Sequence, residues 1–265
     1  MHKGFKRVHV MSRGRVAVLT MSHPEVLNAI SPGMAEDMMV ALAFIGDRAN
    51  DFGAVVLTGE GRGFCSGAHL AEASAGRDSQ PDAGQQLDNY YHPLLRSIRD
   101  FKMPFLTAVN GAAVGIGMSI ALMGDLILAA RSAYFLQAFV RVGLVPDGGS
   151  TWLLPRLIGL ARARELSLLA EKLPAETALE WGLINRVCED EKVLDEAVAI
   201  GQRLADGPAI ALAATRRLYW ASPQNNFEEQ IAMERQSQKM AGLTEDFVEG
   251  ISAFLQKRPA RFRGK

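Results

Sequence analysis

From Met103 to Gly124 the chain carries no charged side chain, and what this stretch becomes constrains everything around it. Its length alone would suit a membrane span. Pro104, Asn110, Gly111, Gly115 and Gly117 interrupt it, so it reads instead as a buried strand, a turn and a buried helix. Such a centre must be enclosed by other layers. The chain has 265 residues, 48% hydrophobic and 22% charged, which suits one large α/β domain, with or without a helical appendage.

The flanking pattern agrees. Arg15 to Met21 is β-rich and nearly continuous in apolar residues, as a strand covered on both faces would be. Pro32 to Asp47 has a helical period, with Ser31 as N-cap and Pro32 at the first helical position. Ala54 to Thr58 is the next strand. The alternation repeats with Phe105 to Val109 (strand), Gly117 to Met123 (helix) and Leu126 to Ala129 (strand), so a mainly parallel sheet with helices packed on it is expected. Gly76 to Gln86 reads as a polar loop leading into a helix over Leu87 to Asp100. After Asp147 short helical pieces are expected, with a cap at Thr177 and a stop at Gly182. From Leu194 onward the pattern is almost wholly helical.

Lys and Arg number 29, as do Asp and Glu. That neutral balance gives no footprint for nucleic acid or an anionic membrane. The N-terminal basic residues are not followed by an uninterrupted apolar run, so no secretory signal is read. Cys65 and Cys188 are too few for a disulfide framework, and a reducing cytoplasm is the expected compartment.

Gly63-Phe64-Cys65-Ser66-Gly67 scans as a Cys nucleophile elbow. All five histidines lie within the first 92 residues, so the general base that must follow is missing, and Cys65 reads as structural. Gly115-Ile116-Gly117 lacks the third glycine of a dinucleotide loop, and Gly148-Gly149-Ser150 lacks the P-loop lysine. No histidine pair has metal-ligand spacing. No metal and no separate cofactor are expected. What remains is a pair of small-residue turns, each after a strand: Cys65-Ser66-Gly67-Ala68 and Val114-Gly115-Ile116-Gly117. Small residues there let backbone N–H groups approach a ligand, and two convergent donors can hold an oxyanion.

With these turns in place, the sequence resembles the crotonase superfamily, the enoyl-CoA hydratases and isomerases, over nearly its whole length. The matching stretches are 24–29 (PEVLNA), 63–70 (GFCSGAHL), 109–117 (VNGAAVGIG), 143–149 (GLVPDGG), 178–187 (ALEWGLINRV) and 250–258 (GISAFLQKR). The resemblance implies an α/β core of repeated ββα turns over residues 1–193. A helical oligomerisation region over 194–265 would build a homotrimer or hexamer. It also implies an acyl-CoA substrate, with coenzyme A part of the substrate. The oxyanion donors would be the N–H groups of Ala68 and Ile116. CoA would lie along Val26, Leu27 and Ala29 and along Ser66, Gly67, His69 and Leu70, with Gly115 beside the thioester. Phe262 and Lys265 match tail positions that reach a neighbouring subunit's CoA. His69 stands where many members have Asp, and its role is left open. Phe139, Val145 and Trp152 are expected as acyl-pocket walls, joined by Leu136, Tyr90 and Tyr91.

One departure bears on the reaction. Hydratases of the superfamily use two glutamates, and the matching positions here are Ser119 and Phe139, neither of which can exchange a proton as a carboxyl does. Asp147 reads locally as a helix N-cap. In isomerases resembling the ring-epoxyphenylacetyl-CoA isomerase, an Asp at this place shuttles a proton. The sequence therefore points to an enoyl-CoA isomerase acting through Asp147, Ala68 and Ile116. The alternatives are a hydratase-type lyase using other residues, a dehalogenase-like nucleophile at Asp147, and a catalytically silent acyl-CoA binder.

Overall fold

The computed structural model describes residues 1–69 and 82–265. Strands that are apolar on both faces must be covered on both, and that requirement builds the molecule. Val16–Met21 (β3), Ala54–Gly59 (β4) and Phe105–Val109 (β6) are buried along their whole length. They sit at the middle of a seven-stranded sheet ordered β1-β2-β3-β4-β6-β8-β11, where β1 is His2–Gly4, β2 is Val8–Arg13, β8 is Leu126–Ala130 and β11 is Arg186–Cys188. Pairs from β3 to β11 are parallel. The β1-β2-β3 edge is antiparallel, and its first two strands are not anticipated from the sequence.

A second sheet of four strands runs β10-β9-β7-β5, from Leu173–Pro174, Tyr134–Leu136, Ala112–Val114 and Gly63–Cys65. Each of β4, β6 and β8 in the large sheet is followed directly by β5, β7 or β9 in the small one. The uncharged centre supplies one complete turn of this repeat: β6, β7 and the helix Ile116–Ala121 (α3). Before it, Pro32–Gly46 (α1) is capped by Ser31, whose side chain accepts from Met34 N–H, as expected. The expected helix over 87–100 is Leu87–Tyr91, with π-type bonding, followed by His92–Arg99 (α2).

Ser150–Leu169 (α4) consists of two helical segments meeting at a kink at Gly159, where φ is 78° and ψ 159°, in keeping with the expected short helical pieces. The expected cap at Thr177 is corrected. Thr177 caps nothing, because it lies inside Ala175–Glu180 (α5), which Pro174 precedes. Val193–Ala205 (α6) buries Val193, Ala197, Val198, Gly201 and Ala205 and packs on β3, β4 and β6. It therefore belongs to the core packing. Helices Ala209–Ala221 (α7), Phe227–Ala241 (α8) and Glu245–Leu255 (α9) follow. Arg216 pins α7 to the core: it is buried, pairs with Asp125 at 2.7 Å, and donates to the carbonyls of Ile98, Arg99 and Phe101. Among the described residues no helix is long and apolar enough to cross a membrane.

Candidate active site

β5 and β7 are parallel neighbours, so the two small-residue turns leave the sheet side by side. Their closeness demands glycine. A Cβ on Gly67 (φ +106°) would lie 3.2 Å from the Val114 carbonyl oxygen, and one on Gly117 would lie 2.8 Å from the Cys65 Cβ. Ile30 N–H donates to the Gly67 carbonyl (2.8 Å) and His69 N–H donates to the Ile30 carbonyl (2.9 Å). With both neighbours turned toward Ile30, the N–H of Ala68 points to the opposite side. Ile116 is the first residue of α3, and a first-turn N–H has no carbonyl one turn back to receive it. Two donors thus sit at the ends of adjacent strands.

The segment 23–30 is clamped against these turns. Leu27 (φ 52°) and Asn28 (φ 56°) are both left-handed, a conformation that Asn tolerates better than Leu. Asn28 is fully buried. It accepts from His23 N–H (2.9 Å) and donates to the carbonyls of Glu60 (2.9 Å) and Gly63 (2.8 Å). Ser66 donates from its N–H to Leu27 (3.0 Å) and from its hydroxyl to Val26 (2.9 Å). Val26, Leu27 and Ala29 are thereby brought beside Ser66, Gly67 and His69. The His69 ring stacks on His23, 5.9 Å apart and 3° from parallel. Leu70 lies outside the described residues. The sequence motif contains Asn28, yet its role as the clamp becomes visible only here.

Asp147 does not cap α4. The N-cap is Gly149 at φ 80°, with no side-chain cap. Instead the Asp147 carbonyl accepts from Ser150 N–H (3.0 Å), Ser150 Oγ (2.8 Å) and Ser119 Oγ (3.0 Å). The residue is half-buried, while its Oδ1 is shut from solvent and has no hydrogen-bond partner among the described residues. Burial pushes the carboxyl up to about 7, because desolvation disfavours the charged form. Gly148 adjoins both Ser119 and Ile116, so the Asp147 turn lies against the start of α3. Phe139 is buried, and its ring covers Gly115 at 3.7 Å from where a Cβ would be. The Cys65 thiol is buried and pushed up to about 11, which makes it a poor nucleophile.

Val145 is 77% exposed. Trp152 faces a separate cavity of about 480 Å³ with Leu122 and Ile127, stacked on Trp220 and covered by the Arg156 guanidinium. Phe262 packs on Gly250 of α9, and the Lys265 carbonyl accepts from Asp246 N–H (3.1 Å). The Asp246 carboxylate in turn holds the tail through the N–H groups of Arg263 and Gly264.

The paired turns and the repeated strands now have known counterparts. Residues 12–265 match the family described as enoyl-CoA hydratase/isomerase. The chain belongs to the enoyl-CoA hydratase/isomerase family. It is 40% identical over 251 residues to the 1,2-epoxyphenylacetyl-CoA isomerase of Escherichia coli (strain K12), covering 94% of this chain and 95% of that one. It is 42% identical over 250 residues to a probable enoyl-CoA hydratase of Rhodobacter capsulatus, again covering 94% and 95%. The crystal structure of an enoyl-CoA hydratase from Polaromonas sp. JS666 superposes with a TM-score of 0.91 at 34% identity, covering 96% of this chain and 99% of that one. The fold is the crotonase fold. Relatives in the enoyl-CoA hydratase/isomerase family carry both reaction names, so membership alone does not choose between them.

Proposed function

We propose that the chain is an acyl-CoA thioester isomerase that shifts a double bond, or rearranges a ring, by proton transfer at Asp147. The observation that carries this reading is a desolvated carboxyl with an unpartnered oxygen, set against the helix start that supplies the Ile116 N–H. The likeness to an epoxyphenylacetyl-CoA isomerase supports it.

A β,γ-enoyl thioester loses its α-proton to the Asp147 carboxylate, and the electron pair moves onto the thioester oxygen. The N–H groups of Ala68 and Ile116 donate to that enolate oxygen, at about 3 kcal/mol for such a donor. As the enolate collapses, Asp147 returns the proton to the γ-carbon and the double bond comes to rest between Cα and Cβ. One carboxyl serves both steps and no water is activated. A positioned base contributes about 10²–10⁴ in rate, and it works best when its pKa lies near the operating pH. A hydratase needs a second carboxyl, but Ser119 is enclosed in hydrogen bonds and Phe139 is apolar.

CoA lies along 26–29 and 66–70, with the tail residues Phe262 and Lys265 serving a neighbouring copy in a trimer or hexamer. The large exposed apolar side chains of α8 and α9, Phe254 and Leu255 among them, support assembly through the C-terminal helices. Two buried free thiols, Cys65 and Cys188, suit a cytoplasmic enzyme. The test is a β,γ-enoyl-CoA followed by the absorbance of the conjugated product, beside a crotonyl thioester followed for loss of absorbance on hydration. Turnover of the first is expected. Hydration of the second without any shift of the first would replace this reading with a hydratase, and inertness toward both would leave a silent binder.

A further inference from the structure

Beneath Asp147 lies a polar cluster that no step of the proposed reaction uses. Ser119, Ser150 and Gln137 are completely buried. Gln137 Nε2 is 3.3 Å from Ser150 Oγ, and Ser150 Oγ is 2.7 Å from Ser119 Oγ. Both hydroxyls reach the Asp147 carbonyl, at 2.8 and 3.0 Å. Ser119 Oγ also lies 3.4 Å from the Gly115 carbonyl, and Gln137 Nε2 lies 3.2 Å from Met118 Sδ. The two hydroxyls have one proton each. An amide donating into Ser150 from behind leaves the hydroxyl protons pointing forward, to the Asp147 carbonyl. The cluster is not merely core filling, since Gln137 Oε1 finds no partner among the described residues, and a buried unpaired amide oxygen is costly.

We infer that Ser119, Ser150 and Gln137 are positioning residues for the Asp147 carboxylate, holding its peptide from behind so that the side chain needs no hydrogen bond of its own. This rests on the reading of Asp147 as the proton carrier. A carboxylate is usually oriented by donors on its oxygens, but such donors favour the charged form and weaken the base. Fixing the carbonyl separates orientation from basicity. The need for an external hold is plain in the backbone, because Gly148 (φ 61°) and Gly149 (φ 80°) follow Asp147 directly and glycine restricts the chain least. Burial is the cause of the raised Asp147 carboxyl, so a turn that loosens and admits water makes that carboxyl more acidic.

The test uses Ser119→Ala, Ser150→Ala and Gln137→Met in the full chain, each matched to the parent for thermal midpoint. Three readouts are taken: kcat and KM on a β,γ-enoyl-CoA, the pH profile of kcat, and a ¹³C NMR titration of the Asp147 carboxyl, assigned by its loss in Asp147→Asn. The expected result is a fall in kcat of about tenfold or more, since small misplacements are expensive in rate, with KM changed by less than about threefold. The Asp147 carboxyl should titrate about tenfold more acidic, and the pH profile should move with it. Unchanged kcat and unchanged titration in folded variants would overturn the inference, as would a rise in KM alone. If one serine variant does not fold, the other and Gln137→Met decide. The NMR arm needs no turnover, so it separates failure of the positioning role from failure of the isomerase reading, which Asp147→Asn tests directly.

Discussion

Gly148 presses on Ser119: a Cβ built on Gly148 would lie 2.7 Å from the Ser119 Cβ and 2.6 Å from the Ile116 Cδ1. This contact joins the turn that carries the Asp147 carboxyl to the helix that begins with the Ile116 N–H. The Asp147 carboxyl and the Ile116 N–H are therefore set relative to each other by a van der Waals contact that only glycine permits.

Gly148→Ala should accordingly disturb both. The added methyl sits at φ 61°, a left-handed conformation costing about 1–2 kcal/mol for a residue with a Cβ, and overpacking adds about 1–3 kcal/mol. The thermal midpoint should fall, and kcat should fall further than KM rises. A folded variant with parental kcat would show that the contact does not set the geometry.

The pH dependence of stability has a definite sign. In the folded chain the Asp147 carboxyl titrates at about 7, against about 3.9 when unfolded. Between those values the folded state binds the extra proton, so the contribution of this group is complete below about pH 4 and is lost as pH rises toward 7. Asp147→Asn removes that dependence. The variant should match the parent near pH 4 and be the more stable of the two at pH 8, as thermal midpoints across the range would reveal. A parent that still matches the variant at pH 8 contradicts the raised carboxyl.

Asn28→Ala removes a clamp of three hydrogen bonds and leaves two carbonyls and an N–H to find other partners. A loss of about 2–3 kcal/mol is expected, measurable by denaturant unfolding. Binding of CoA should weaken too, since the 26–29 segment loses its anchor to 60–66. Unaltered CoA affinity by calorimetry would place the CoA path elsewhere.

The α9 face should be an interface between copies of the chain. Val248 and Phe254 are 66% and 81% exposed, and large apolar side chains left this open mark contact surfaces. Val248→Glu with Phe254→Asp should shift the sedimentation of the assembly toward monomer. A parent chain that is already monomeric and equally stable on dilution would remove the interface.

The interior strands were legible because continuous apolar runs leave few other choices, and β6 falls at Phe105–Val109 as its sequence implies. The Ser31 cap was equally readable from its own few residues. In β2, Val8 and Val10 are buried while Met11 is exposed. That period-two signal is present in the sequence but is obscured by the basic residues on either side. Asp147 carries the usual cap pattern, Asp before a helical run, and so points to a cap that the structure does not form. Positive φ at both Gly148 and Gly149 moves the cap to Gly149 and turns the carboxyl away. The link from Ser119 to Asp147 spans 28 positions in sequence, and a serine among small apolar residues gives no local sign of it.

The most direct measurement of the central claim is Asp147→Asn assayed on a β,γ-enoyl-CoA after the variant and parent are matched for folding at the assay pH. Asn keeps the size of the side chain and leaves the carbonyl contacts to Ser119 and Ser150 in place, so CoA-thioester affinity should stay close to that of the parent. Turnover should fall by about 10²-fold or more. Full turnover in a folded Asn variant would contradict the account, because proton transfer would then not depend on the Asp147 carboxyl.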